Sequence, residues 1–98
     1  MLKRIVKMTF RPDETDVFIE LFESKKSLIR NFDGCEYLEL VRDINNPAIF
    51  FTISIWDTDN SLQEYRRSDL FKATWEETKA LFSEPAEAWS TESLFAVN

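Results

Sequence analysis

The side chains with the most chemical capacity are gathered in one run, FFTISIWDTDNSLQEYRRSDLFKATW, from Phe50 to Trp75. Tyr65 carries a phenol that needs a hydrogen-bond partner if buried and so can donate to a substrate oxygen. A pocket role and plain packing are both open for it. Phe71 and Trp75 are aromatic at helical spacing, a pattern that reads first as core and only then as the wall of a ligand site. Arg66 and Arg67 offer charge for an anion; with Glu64 and Asp69 alongside, Arg67 reads as a solvated face, while Arg66 stays open. Arg4 shares one strand face with Val6, Met8 and Phe10, which places it at a rim, snorkelling, or paired with an acid. Asp57 and Asp59 read as turn and cap residues, and Glu76 and Glu77 point away from the Trp75 stripe. No carboxylate pair suited to acid–base work emerges.

What is missing narrows the chemistry further. The chain has no His and one Cys, which removes the usual neutral-pH base and leaves too few N/S donors for a zinc, copper or iron site. Its acids match no calcium loop, so no metal is expected. Cys35 cannot form an internal disulfide and reads as a small buried hydrophobe. One glycine, Gly34, cannot build the glycine-rich loops that cradle phosphate. A net charge of −6 with no basic run longer than a pair argues against nucleic acid. Apolar runs fall short of the roughly 18 to 20 residues of a membrane span. The first strand begins at Leu2, with no room ahead of it for a signal peptide, so the expected location is the cytoplasm.

The elements that must position these residues follow from periodicity. Leu2 to Phe10 alternates as a first strand. Arg11 and Pro12 break it, Asp13 is placed to cap the next helix, and Phe18, Leu21, Phe22, Lys25, Leu28, Ile29 and Phe32 repeat at helical spacing until Gly34 supplies a C-cap. Cys35 to Asp43 and Ala48 to Trp56 read as a hairpin across Ile44-Asn45-Asn46-Pro47. Two helical patterns follow, divided at Ser68, which caps the second; there Phe71, Thr74, Trp75, Thr78, Leu81 and Phe82 share a stripe. Pro85 stops that helix, and Ala88 to Val97 gives a last strand. The order is βαββαβ, predicting an α+β, ferredoxin-like fold with an antiparallel four-stranded sheet and one domain over residues 1–98.

Ile49, Phe51, Ile53 and Ile55 occupy one face of the third strand, and Phe50 and Trp56, with Thr52 and Ser54, the other. Both faces therefore look buried, although two helical elements cover only one. A second sheet from an identical chain is the simplest cover, so a homodimer with its sheets face to face is expected.

This arrangement, with a Trp-closed strand, a short helix and then Ser68-Asp69-Leu70-Phe71-Lys72-Ala73, resembles the antibiotic biosynthesis monooxygenase superfamily. Those proteins are dimeric α/β barrels that include quinol-type and heme-degrading monooxygenases. In the heme-degrading branch a catalytic Trp aligns with Tyr65, the iron-binding His with Trp75, and a pocket Asn with Val6. All three differ here, so the resemblance is to the quinol type. It implies a cofactor-independent monooxygenase on a small phenolic, quinol or polyketide-like aromatic substrate, which itself gives an electron to oxygen. Tyr65 would be the hydrogen-bond donor, in a pocket lined by Val6, Met8, Phe22, Trp56, Arg66, Phe71 and Trp75, with Arg66 or Arg4 steadying a phenolate. The alternative is a non-catalytic or isomerising small-ligand-binding protein on the same scaffold.

Overall fold

A computed structural model describes all 98 residues. In chain order the elements are β1 (Leu2–Phe10), α1 (Thr15–Arg30), β2 (Cys35–Arg42), β3 (Ile49–Trp56), α2 (Asp59–Arg67), α3 (Asp69–Lys79) and β4 (Phe82–Glu92), with a 3-10 turn over Pro12–Glu14 ahead of α1. The four strands form one antiparallel sheet in the order β2-β3-β1-β4. This is the α+β, ferredoxin-like arrangement, with β1 central because it is paired along both edges. Val6, for instance, lies opposite Thr52 of β3 and Ala88 of β4.

All three helices lie on one face. There Phe10 and Met8 of β1 and Phe50 of β3 pack with Phe18 of α1 into one core cluster, and Cys35, Trp56 and Leu62 form a second. Phe10 is fully buried, its ring stacked on Phe18 at 4.2 Å and edge-on to Phe50 at 5.5 Å. Buried aromatic pairs of this kind contribute about 0.5–1.5 kcal/mol each beyond the area they bury. On the opposite face Ile5 is flanked by Ile53 and Trp89, and Lys7 by Phe51 and Glu87; no element of the chain covers it. No helix is long and apolar enough to cross a membrane.

Short polar side chains set the joints between helices. Thr58 caps α2, its hydroxyl accepting the Ser61 amide at 3.1 Å. Ser68 closes α2 and opens α3: its hydroxyl donates to the Tyr65 carbonyl at 2.5 Å and accepts the Phe71 amide at 3.1 Å. One hydroxyl thus fixes the angle between the helices that carry Tyr65 and Trp75.

Several boundaries differ from the sequence-based expectations. Asp13 lies inside the 3-10 turn rather than capping, and α1 starts at Thr15 with no side-chain cap. The end of α1 is at Asn31, whose amide bonds the carbonyls of Ser27 and Ile29, so Gly34 is not its C-cap. Instead Gly34 makes the left-handed turn (φ 89°) into β2, packed so closely on Asp57 and Ser61 that a Cβ there would collide with their side chains. Leu28 does not belong to the buried stripe of α1; it is exposed. The larger correction concerns α3, which ends at Lys79: Leu81 and Phe82 are not helical, and β4 runs Phe82–Glu92 rather than Ala88 to Val97. Pro85 therefore lies within a strand, where the β1–β4 register shifts between Lys7 and Thr9. An edge strand tolerates it because no ladder hydrogen bond is required on its open side.

Candidate functional site

Along the helix-facing side of β3 the residues run Phe50, Thr52, Ser54, Trp56: bulky at the ends, short in the middle. Beside them β1 presents Arg4, Val6 and Met8, and β4 presents Ala86 and Ala88. Helices laid over a floor of short side chains cannot close onto it, and a cavity of about 430 Å³ remains, within the range of small-molecule sites. Its roof comes from Phe18, Phe22 and Ile29 of α1, Leu62, Tyr65 and Arg66 of α2, and Phe71, Thr74, Trp75 and Thr78 of α3.

All of the sequence-derived candidates, Tyr65 together with Val6, Met8, Phe22, Trp56, Arg66, Phe71 and Trp75, line this one cavity. Its aromatic wall is continuous. Tyr65 stacks on Trp56 and meets Phe32 and Phe71 edge-on, all at 5.1–5.3 Å; Phe71 stacks on Trp75 at 5.8 Å, and Trp75 meets Phe82 edge-on at 5.6 Å. The wall bridges the two core clusters, so it is both packing and lining.

Polar atoms in the lining divide into engaged and free. The Trp56 indole N–H donates to Ser54 Oγ at 3.0 Å, and the Thr78 hydroxyl donates to the Thr74 carbonyl at 2.7 Å. By contrast, none of the chain's hydrogen bonds takes up the Tyr65 hydroxyl, and Thr74 Oγ1 is buried with no partner at all. Buried polar atoms nearly always find a partner, so the Thr74 hydroxyl beside the cavity is an exception among this chain's buried side chains. Burial pushes the Tyr65 phenol far above its ordinary range, with Cys35 nearby acting in the same direction. Tyr65 is thus a neutral donor rather than a base.

Two charged residues, Arg4 and Arg66, complete the lining, and no Asp or Glu joins them. Arg4 meets none of the acids allowed for it; its Nη1 donates to Ser90 Oγ at 3.0 Å. Desolvation lowers its pKa, Arg66 lowers it further, and Asp59 acts against both. Arg67 points to solvent and pairs with Glu64 at 2.8 Å. Cys35 is a buried free thiol whose pKa is raised by desolvation. Nowhere are three His, Cys, Asp or Glu side chains grouped as metal ligands would be.

Some lining residues escaped the sequence reading. Thr52 and Ser54 share a strand face with Trp56, an alternation visible in the sequence, while Arg4, expected as an alternative to Arg66, does line the cavity. Thr74 stood on the Trp75 stripe without being singled out. Ala86 could not be found, because the last strand was expected to begin only at Ala88, and Ala88 lay in that strand without being singled out.

The fold is an α+β domain built around an aromatic-lined cavity on one side of its sheet. The sequence profile of antibiotic biosynthesis monooxygenases matches residues 1–77, and the chain belongs to that family. Membership supports a monooxygenase-like role in general terms. Among solved structures the fold is similar to an antibiotic biosynthesis monooxygenase at TM-score 0.90 and 19% identity, over 96% of this chain and 99% of that one. Rv0793 from Mycobacterium tuberculosis is similar at 0.88 and 18%, over 99% and 98%. A conserved protein from Methanosarcina mazei Go1 is similar at 0.88 and 21%, over 92% and 89%. At such identities the likeness is one of fold. No curated protein matches the sequence.

Proposed function

We propose that the protein is a cofactor-independent monooxygenase acting on a small phenolic or quinol substrate held in the cavity. The observation that carries this reading is the Tyr65 hydroxyl, held in an aromatic pocket with no partner within the chain. In such a reaction the substrate phenolate passes one electron to dioxygen, and the resulting radical and superoxide join through a carbon–oxygen bond. The peroxide takes up a proton and loses water, leaving a carbonyl on the ring. One oxygen atom ends in the quinone and one in water, with the substrate supplying both hydrogens and all four electrons. The protein's part is to exclude water, to align the ring against Trp75 and Phe71, and to steady the developing oxyanion with the Tyr65 donor.

The same reading includes a homodimer, since Ile5, Phe51, Ile53 and Ile55 on the open sheet face favour a second copy as cover. A lone buried thiol suits a reducing compartment such as the cytoplasm. The test is oxygen uptake with a panel of hydroquinones and polyphenols, with thermal melts alongside. Uptake with quinone formation is expected. Melting shifts without uptake across the panel would instead make this a binding or isomerising protein.

A further inference from the structure

We propose that the cavity selects an aromatic acid, a ring bearing a carboxylate, with the carboxylate held by Arg4 and Arg66 while the ring lies against Tyr65, Phe71 and Trp75. The inference rests on the aromatic-pocket part of the reading above, not on its oxidative chemistry. On a chain with 18 acidic and 12 basic residues, a cavity whose only charged lining residues are two arginines is strongly sorted by sign.

Of the other arginines, Arg11 and Arg67 pair with Glu14 and Glu64, while Arg30, donating to the Cys35 carbonyl, and Arg42, lying over the Phe50 ring at 4.5 Å, are not part of this cavity's lining. Arg4 and Arg66 have only neutral partners: Ser90 Oγ for one and, at 3.5 Å, Gln63 Oε1 for the other. The acid that Arg4 feels, Asp59, makes no ion pair with it and instead accepts from Gln63 at 3.3 Å. Two guanidinium groups close enough to disfavour one another, one of them partly desolvated, form an arrangement that an anion between them relieves. A carboxylate suits it better than a phenolate, because it has two oxygens and can accept from both forks at once. Arg66 is exposed and Arg4 partly so. The charged end of the cavity is therefore its solvent end, and a ring enters behind its carboxylate's contact.

The test is calorimetric titration of 2,5-dihydroxybenzoate and its methyl ester into wild type, Arg4→Gln and Arg66→Gln, with oxygen uptake recorded on the same samples. Wild type should bind the acid about tenfold or more tightly than the ester, and each substitution should remove that preference by weakening the acid far more than the ester. Arg66→Gln changes an exposed helical position, so it keeps the test independent of folding even if Arg4→Gln loosens β1 from β4. Equal affinity for acid and ester, or a preference that survives both substitutions, overturns the inference and leaves the aromatic pocket standing. Absence of binding by either probe removes the inference and the pocket together. A preference with no uptake supports it while the oxygenase reading falls.

Discussion

The phenol ring of Tyr65 lies stacked on the indole of Trp56, centroids 5.1 Å apart and planes 27° from parallel. The indole N–H already donates to Ser54, so of this pair only the phenol has a polar atom left for a ligand. Fully buried Trp56 is the anvil, fixed at both ends, against which Tyr65 is oriented.

Tyr65→Phe should keep that stack and remove only the donor. Deleting a hydroxyl without a protein partner costs little stability, so the melting temperature should hold. Turnover should fall by about 10²- to 10³-fold, the loss typical of one preorganised donor to an oxyanion. Unchanged turnover in a normally folded variant would show that Tyr65 is wall and nothing more.

Alkaline stability gives an independent check on its burial. The folded pKa of Tyr65 is raised, and so is that of Cys35. Both groups therefore favour the folded state fully below their unfolded values, about 10 and 8.5. This contribution is lost as pH rises past those values toward the folded ones, because the unfolded chain releases its protons first. Denaturant titrations from pH 7 to 11 should show stability falling in two stages. Cys35→Ala should lessen the early stage and Tyr65→Phe the late one.

The two indoles should respond differently to truncation. Trp56, at 1% exposure, gives up more buried surface and its bond to the Ser54 hydroxyl when cut to Ala, so a loss near the upper end of the roughly 3–5 kcal/mol range for such changes is expected. Trp75 is only partly buried and already borders open space; Trp75→Ala should cost about 3 kcal/mol or less. Chemical denaturation of the two variants checks the order.

Hemin should not be degraded. Trp75 is stacked on Phe71 with planes 11° apart, and an indole N–H has no lone pair for iron. Titration should give no defined Soret complex, and a reductant should cause no consumption.

Self-association is measurable directly. Light scattering at low micromolar concentration should give a dimer, with an interface over ~1,200 Å² in total. Ile53→Glu, on the open face opposite Ile5, should shift it toward monomer without touching the cavity.

Elements with strong local periodicity were legible: β1, the hairpin of β2 and β3, and the break at Ser68, whose capping hydroxyl is a local signal. The end of α3 was not. Leu81 and Phe82 continue the helical spacing of Phe71, Trp75 and Thr78, and Pro85 then looks like a stop. What ends the helix early is non-local: the Arg11 guanidinium binds the Ala80 and Phe82 carbonyls, the Arg11 amide binds the Leu81 carbonyl, and Phe82 pairs with Phe10. None of these contacts spans fewer than about seventy residues of sequence, so no window along the chain contains them. In the site the aromatic residues were legible from their stripes, whereas the cavity itself was not. It arises where short side chains on β3 and β4 come to flank β1, Thr52 and Ala88 on either side of Val6 and Ser54 opposite Arg4, and that depends on register.

The alternation along β3 has a consequence for how this chain can vary. Thr52, Ser54 and Trp56 line the cavity and Phe50 packs in the core on the same side, while Ile49, Phe51, Ile53 and Ile55 face away from it, one residue out of phase. A point substitution on either set is shielded from the other by the thickness of a single backbone. The cavity's shape and the open sheet face can thus drift along separate mutational paths in one eight-residue segment. Only an insertion or deletion, by inverting the phase of the strand, would alter both together.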